Sequence, residues 1–247
     1  MTAYRSADSR RPRVVGVIMS RTDLEFAIRM RKPPDLFELR LDHLVPLIDE
    51  VENKLSRLRP PLIITARHPQ EGGANNLSLR QQSDLLSRFS PYALYIDIEL
   101  RSAAAVRSLV KTARNKNVRR IISFHDLKAT PKLSDLQIKV RKAKSLGADI
   151  FKAVTRTDTP AELARLLDFF TRKDVDLVTG RVSVAAATGL AVSAMGIGKL
   201  GAISRVLLAY RGSALVYGSV AASSDLEGQM SLQQLRAFRI GPPALRR

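Results

Sequence analysis

The chain has 247 residues, no cysteine, and 41 basic against 23 acidic side chains, a formal charge of +18. That length suits one large α/β domain, which can bury about three quarters of its unfolded surface. The lack of cysteine excludes a disulfide scaffold, thiolate metal sites and a thiol nucleophile. A 45% hydrophobic content excludes wholesale disorder, and the longest apolar runs fall short of the ~18 residues a membrane-spanning helix needs.

Residues 1–12 are basic and lack an apolar signal core, so they predict a flexible tail on a cytoplasmic protein, with 13–247 as one catalytic domain. The basic residues comprise 29 Arg and 12 Lys, spread along the chain. Aromatics are 5% and Trp is absent, whereas nucleic-acid proteins cluster their charge and interleave aromatics. The charge therefore reads as a solvated surface that steers an anionic small molecule, with no nucleic-acid partner and no membrane.

Apolar, β-rich runs recur at Arg13–Met19, Leu36–Leu41, Leu62–Ala66, Tyr92–Leu100, Arg120–Phe124, Asp149–Val154, Leu190–Met195 and Leu215–Gly218. Amphipathic stretches lie between them at Leu44–Leu58, Ser78–Arg88, Ser102–Arg114, Leu133–Ser145 and Pro160–Phe170. The last begins with Thr159 as an N-cap, Pro160 in the first helical position and Glu162 three residues after the cap. Eight such strands alternating with helices predict a single (β/α)8 TIM barrel, an α/β fold; a doubly wound sheet is the alternative. The interval from Asp149 to Leu190 is longer than the others, so Val175–Thr179 competes with Leu190–Met195 as the seventh strand.

In such a barrel, function gathers where strands end. Along the second strand, alternation puts Glu38, Arg40 and Asp42 on one side and Phe37, Leu39 and Leu41 on the other. Mixed charges pointing into a barrel must pair with each other or bind a polar ligand. The third strand ends at Arg67, then turns through Glu71-Gly72-Gly73, which suits an anion contact beside a flexible loop. The fifth ends at His125-Asp126, a candidate acid/base or a structural histidine. Lys152 interrupts the sixth, and lysine is almost never buried unpaired; a desolvated amine can attack a ketone and form a Schiff base, the alternative being a strand-end lysine that snorkels to solvent. Late in the chain, Arg205 follows a glycine-rich turn as a candidate carboxylate clamp or a surface helix arginine.

In order, Glu38-Leu39-Arg40 with Asp42, Thr65-Ala66-Arg67 with Glu71-Gly72-Gly73, Ser123-Phe124-His125-Asp126 with Thr130-Pro131, Lys152, Met195-Gly196 through Ser204-Arg205, and Gly228-Gln229 resemble the type I 3-dehydroquinate dehydratases. The resemblance spans about residues 36 to 229. It implies a (β/α)8 barrel, usually a homodimer, that converts 3-dehydroquinate to 3-dehydroshikimate in the shikimate pathway without metal or organic cofactor. It also implies that Lys152 forms the Schiff base, His125 is the general acid/base and Glu71 orients it. Glu38, Arg40, Arg67, Arg205 and Gln229 would hold substrate, and the resemblance favours Leu190–Met195 as the seventh strand. Two departures stand out: Ser224–Gln229 carries one extra residue and the acidic Glu227, which puts Ser224 in doubt as a contact, and Lys173–Thr188 is unusually long. The competing expectations are a class I aldolase-type barrel, a metal held by His43, His68 and His125, and a basic RNA-binding protein.

Overall fold

The computed structural model of the chain describes residues 11–171, 190–221 and 227–241. Strands β1 (Arg13–Ile18), β2 (Leu36–Arg40), β3 (Leu62–Thr65), β4 (Ala93–Glu99), β5 (Arg119–Asp126), β6 (Ile150–Arg156), β7 (Ala191–Ile197) and β8 (Leu215–Ser219) form one parallel sheet. Their order is β7-β6-β5-β4-β3-β2-β1-β8, with the last strand pairing the first. The remaining seam is bridged where β8 begins: the Ala214 amide donates to Val192 O at 2.9 Å and the Ser193 hydroxyl donates to Leu215 O at 2.8 Å. The sheet is thus a barrel and not an open doubly wound sheet.

Helices α1 (Arg21–Arg29), α2 (Leu41–Leu44), α3 (Ile48–Lys54), α4 (Leu79–Phe89), α5 (Arg107–Asn115), α6 (Leu133–Ser145), α7 (Pro160–Thr171), α8 (Gly201–Tyr210) and α9 (Leu232–Ala237) lie between or after the strands. The predicted cap of α7 is present: Glu162 N donates to Thr159 Oγ1 at 3.3 Å, and Glu162 Oε2 accepts the Thr159 amide at 3.1 Å. The long helix expected over Leu44–Leu58 is instead α3 flanked by two 3-10 turns, the first containing Pro46. Proline has no N–H to donate and restricts the residue before it, which breaks the helix there. Helix α5 begins at Arg107, later than expected, because Ser102–Val106 fold into turns that cap Glu99 O and Ser102 O.

Strand β7 pairs with β6 from Ile150↔Ala191 to Arg156↔Ile197, which places the seventh strand at the favoured position. The whole of Lys173–Thr188, with the competing Val175–Thr179 run inside it, tail residues 1–10 and Ser224 lie outside the described residues. Among the described residues no helix is long and apolar enough to cross a membrane.

Alternation along the strands sorts side chains into two environments. Phe37, Leu39, Ile96, Ile98, Ile122, Phe151 and Ala153 face outward and pack under the helices. Leu36, Ile63, Tyr95, Ile121, Ile150 and Leu215 face inward and fill the lower barrel. One pleat higher on the same inner faces the side chains become polar: Glu38, Thr65, Asp97, Ser123, Lys152 and Ser193, all buried. The apolar floor makes the interior a packed core, and the polar layer above it is where a ligand from the mouth would stop.

Candidate active site

Lys152 is 3% exposed at the middle of β6. Its Nζ donates to Asp97 Oδ2 at 2.7 Å, lies 3.5 Å from Glu38 Oε1, and sits 4.3 Å from the centre of the Tyr217 ring. Asp97 is shared. Arg67 clasps it through Nη1–Oδ1 at 3.2 Å and Nη2–Oδ2 at 2.9 Å, while Nη1 also reaches Glu99 Oε1 at 2.9 Å and Ser123 Oγ at 2.6 Å. Burial opposes ionisation of Asp97, but the charges of Arg67 and Lys152 outweigh it and hold the carboxyl well below its usual range. Burial likewise opposes the Arg67 cation, yet Asp97 and Glu99 keep it charged well above its ordinary value. Isolated charges at this depth would cost several kcal/mol each, so the network is stable only as a whole.

The second group is an imidazole–carboxylate pair. His125 Nδ1 lies 2.9 Å from Glu71 Oε2, which also accepts the His125 backbone amide at 3.0 Å. Nδ1 is thereby engaged and Nε2 is left for other work. Burial, then the nearby Arg67 and Lys152 cations, hold His125 well below its ordinary value against the opposing pull of Asp97. Burial pushes Glu71 up to about 7, with Glu99 adding to the rise and Arg67 resisting it. Glu71 ends a 3-10 turn, Pro69–Glu71, capped by Gly72 at φ 84°. A Cβ on the following Gly73 would fall 2.0 Å from Arg67 O, so only glycine lets this loop return tightly to β3.

Arg40 donates to both oxygens of Asp42, at 3.0 and 2.8 Å, and to Gly72 O at 3.1 Å. Burial disfavours the Asp42 charge, but the bonds from Arg40 and the Ala74 and Arg67 amides lower its pKa overall. Arg205, on α8, is 4% exposed and has no carboxylate partner among the described residues. Its Nη1 donates to Tyr217 O at 3.0 Å and its Nε to Gly228 O at 3.2 Å. Burial lowers its pKa to about 10, so it is a cation with room for an anion.

Glu38, Arg40, Arg67, Glu71, His125, Lys152, Arg205 and Gln229 all line one cavity of about 160 Å³ at the C-terminal mouth of the barrel. Eight of the nine residues expected from the sequence therefore converge, and the ninth, Ser224, lies outside the described residues. Arg67 differs in emphasis from a plain substrate contact, since its Nη atoms already serve Asp97, Glu99 and Ser123. Glu227 of the enlarged loop is tied by its side chain to Arg156 at 3.2 Å.

The histidines do not share a centre. His68 Nδ1 accepts the Gln70 amide, His43 lies 3.8 Å from Asp42, and His125 holds Glu71. No group of three metal-ligating side chains occurs among the described residues. Sequence reasoning missed Asp97, Glu99 and Tyr217. The first two carried a readable signal, because Tyr95, Asp97 and Glu99 alternate with Ile96 and Ile98 just as the charges of β2 do.

Fold and cavity together define a (β/α)8-barrel enzyme whose mouth holds a buried amine beside an imidazole–carboxylate pair. The family description "Type I 3-dehydroquinase" matches residues 17–239, and the chain belongs to that family. It is 30% identical over 228 residues to a 3-dehydroquinate dehydratase of Thermococcus onnurineus, spanning 90% of this chain and 95% of that one. With the 3-dehydroquinate dehydratase of Bacillus licheniformis it shares 31% over 236 residues, spanning 90% and 87%. The crystal structure of the type I 3-dehydroquinate dehydratase of Clostridium difficile, described with covalently modified comenic acid, superposes with a TM-score of 0.76. That match has 26% identity and covers 93% and 91% of the two chains. The Geobacillus kaustophilus enzyme, at 22% identity, TM-score 0.79 and coverage of 92% and 89%, supports the fold alone.

Proposed function

We propose that this chain dehydrates 3-dehydroquinate to 3-dehydroshikimate through a Schiff base on Lys152, as a step of the shikimate pathway. The observation that carries the reading is one cavity lined by a buried amine, an imidazole–carboxylate pair and a buried arginine without a carboxylate partner among the described residues.

The chemistry follows from those groups. His125, kept neutral by burial and by the cations around it, accepts a proton from Lys152, and the free amine attacks the C3 ketone. The ketone oxygen leaves as water and a protonated imine remains. His125 then removes a C2 proton, and the electron pair moves toward the imine nitrogen. That nitrogen is an electron sink, so it stabilises charge that develops in the transition state. The enamine expels the C1 hydroxyl, which takes the proton back from His125 and departs as water. Hydrolysis of the conjugated imine consumes one water and frees Lys152, so one water is lost overall. The amine itself supplies the sink, and the scheme calls on no metal or organic cofactor.

Glu71 holds the ring so that Nε2 faces the substrate, and help of this acid–base kind is worth about 10²–10⁴-fold. Arg205 meets the substrate carboxylate, while Glu38, Arg40 and Gln229 take its hydroxyls; Arg67 holds Asp97 and Glu99 in place. The test is borohydride trapping with 3-dehydroquinate, followed by peptide mass spectrometry, beside an ultraviolet assay for the conjugated product. An adduct on Lys152 with product formation supports the reading; folded protein giving neither overturns it.

A further inference from the structure

We propose that Tyr217 is a substrate-contacting residue of this site, its hydroxyl donating a hydrogen bond to the hydroxyl oxygen on the substrate carbon next to the imine carbon. The proposal rests on the Schiff-base reading above and adds a specificity-determining contact to it. Tyr217 stands on β8, 4% exposed, and lines the same cavity as Lys152 and His125. Its Oη is buried and has no hydrogen-bond partner among the described residues, a condition shared there only by Arg165 Nε among buried side-chain atoms.

An orphaned buried hydroxyl costs about 1–3 kcal/mol, and phenylalanine would fill the same space without that cost. Buried polar groups of this kind call for a partner, and the Tyr217 side chain stands at the cavity wall. Burial and the facing carboxylates of Glu38 and Asp97 push the phenol well above its ordinary value, against Arg67 and Arg13, so it remains a donor. Two of the cavity's arginines are already paired with carboxylates: Arg40 with Asp42, and Arg67 with Asp97 and Glu99.

The ring centre lies 4.3 Å from Lys152 Nζ. With the ring this close to Nζ, the substrate atoms a bond or two from the imine nitrogen are the ones beside Tyr217. The ketone oxygen has left by then. Of the two carbons flanking the imine carbon, one gives its proton to His125 and the other carries a hydroxyl. That hydroxyl is the acceptor for Tyr217. A site built to bond a substrate hydroxyl discriminates strongly against an analogue lacking it.

The experiment is a two-by-two comparison of kcat/KM: wild type and Tyr217→Phe, each with 3-dehydroquinate and with its 4-deoxy analogue. Each single change is expected to lower kcat/KM about tenfold, and the two together no further than either alone. Tyr217→Phe still forms the trapped Lys152 adduct, and its melting temperature equals or exceeds that of wild type. Kinetics within twofold of wild type, or losses that simply multiply, overturn the contact. Failure of the underlying reading looks different: wild type itself then yields neither product nor adduct.

Discussion

Glu71 Oε2 binds His125 twice, through the ring Nδ1 at 2.9 Å and through the backbone amide at 3.0 Å, so the carboxylate fixes both the ring and the strand end that carries it. Their environments displace the two groups oppositely: Glu71 rises to about 7 and His125 falls well below its ordinary value. Across neutral pH the imidazole stays neutral and Glu71 is the group that titrates. We therefore expect kcat/KM to climb through about pH 7 on the acid side. Glu71→Gln should lose that limb and about 10–10² in kcat while keeping the Lys152 adduct. An unchanged pH profile in the variant would show that Glu71 does not set it.

The same displacement has a stability consequence. Folded Glu71 binds its proton more tightly than an unfolded glutamate, so its contribution to stability is retained below about pH 4.5 and lost as pH rises toward 7. A shift of this size corresponds to about 3 kcal/mol. His125 gives the opposite slope below its ordinary 6.5, so the useful quantity is the gap between variant and wild type at each pH. Glu71→Gln should melt above wild type at pH 8, with the gap closing toward pH 5. A gap independent of pH would mean that burial does not strain the carboxyl.

Lys152 and Arg67 share Asp97, yet their removal should differ in kind. In Lys152→Met, Asp97 keeps both bonds from Arg67, so the protein should fold, lose at least about 10³-fold in turnover and form no borohydride adduct. Arg67→Met leaves Asp97 and Glu99 buried without their shared cation, a loss of about 3–5 kcal/mol. Its signature should be a lowered melting temperature before any kinetic effect. Equal thermal stability of the two variants, by circular dichroism, would contradict this division of roles.

What could be read from the sequence, and what could not, follows from the range of each physical signal. Alternation is local, so β2 displayed Glu38 and Arg40 on one face without any knowledge of the fold, whereas Asp42, read as the next position of that face, falls in the first turn of α2. Lys152 was legible because an amine amid Ile150, Phe151, Ala153 and Val154 has only one bland explanation, snorkelling to solvent, and its burial removes that one. Asp97 had the same local signal but acquires its meaning from Arg67, 30 residues away, and Lys152, 55 residues away. The orphaned state of Tyr217 was out of reach altogether, because a missing partner becomes visible only after every neighbour has been placed. Helix boundaries suffered for a further reason: Pro46 and the turns at Ser102–Val106 divide amphipathic patterns that the apolar spacing alone treats as continuous.

The +18 charge of the chain should be visible in its kinetics. A positive field raises the encounter rate with an anion and is screened within about 8 Å at physiological salt. If substrate capture limits kcat/KM, it should fall severalfold between low and 0.5 M salt while kcat stays nearly constant. A fall confined to kcat would place the salt effect in the chemical step.

Arg205 is buried, has no carboxylate partner among the described residues, and donates through Nη1 to Tyr217 O and through Nε to Gly228 O. Those two carbonyls hold the guanidinium at the cavity wall, and neither neutralises its charge. Burial lowers its pKa to about 10, so it remains charged at neutral pH and favours any anion that reaches it. Arg205→Gln keeps some hydrogen-bonding capacity and removes the charge. We expect KM to rise about 10–10²-fold with a smaller change in kcat, since a charge-assisted contact to the substrate carboxylate acts in ground and transition states alike. The free variant should be at least as stable as wild type, because an uncompensated buried cation has been removed. A carboxylate product analogue should raise the melting temperature of wild type and leave Arg205→Gln nearly unmoved. An equal ligand-induced shift in both proteins would place the substrate carboxylate elsewhere in the cavity.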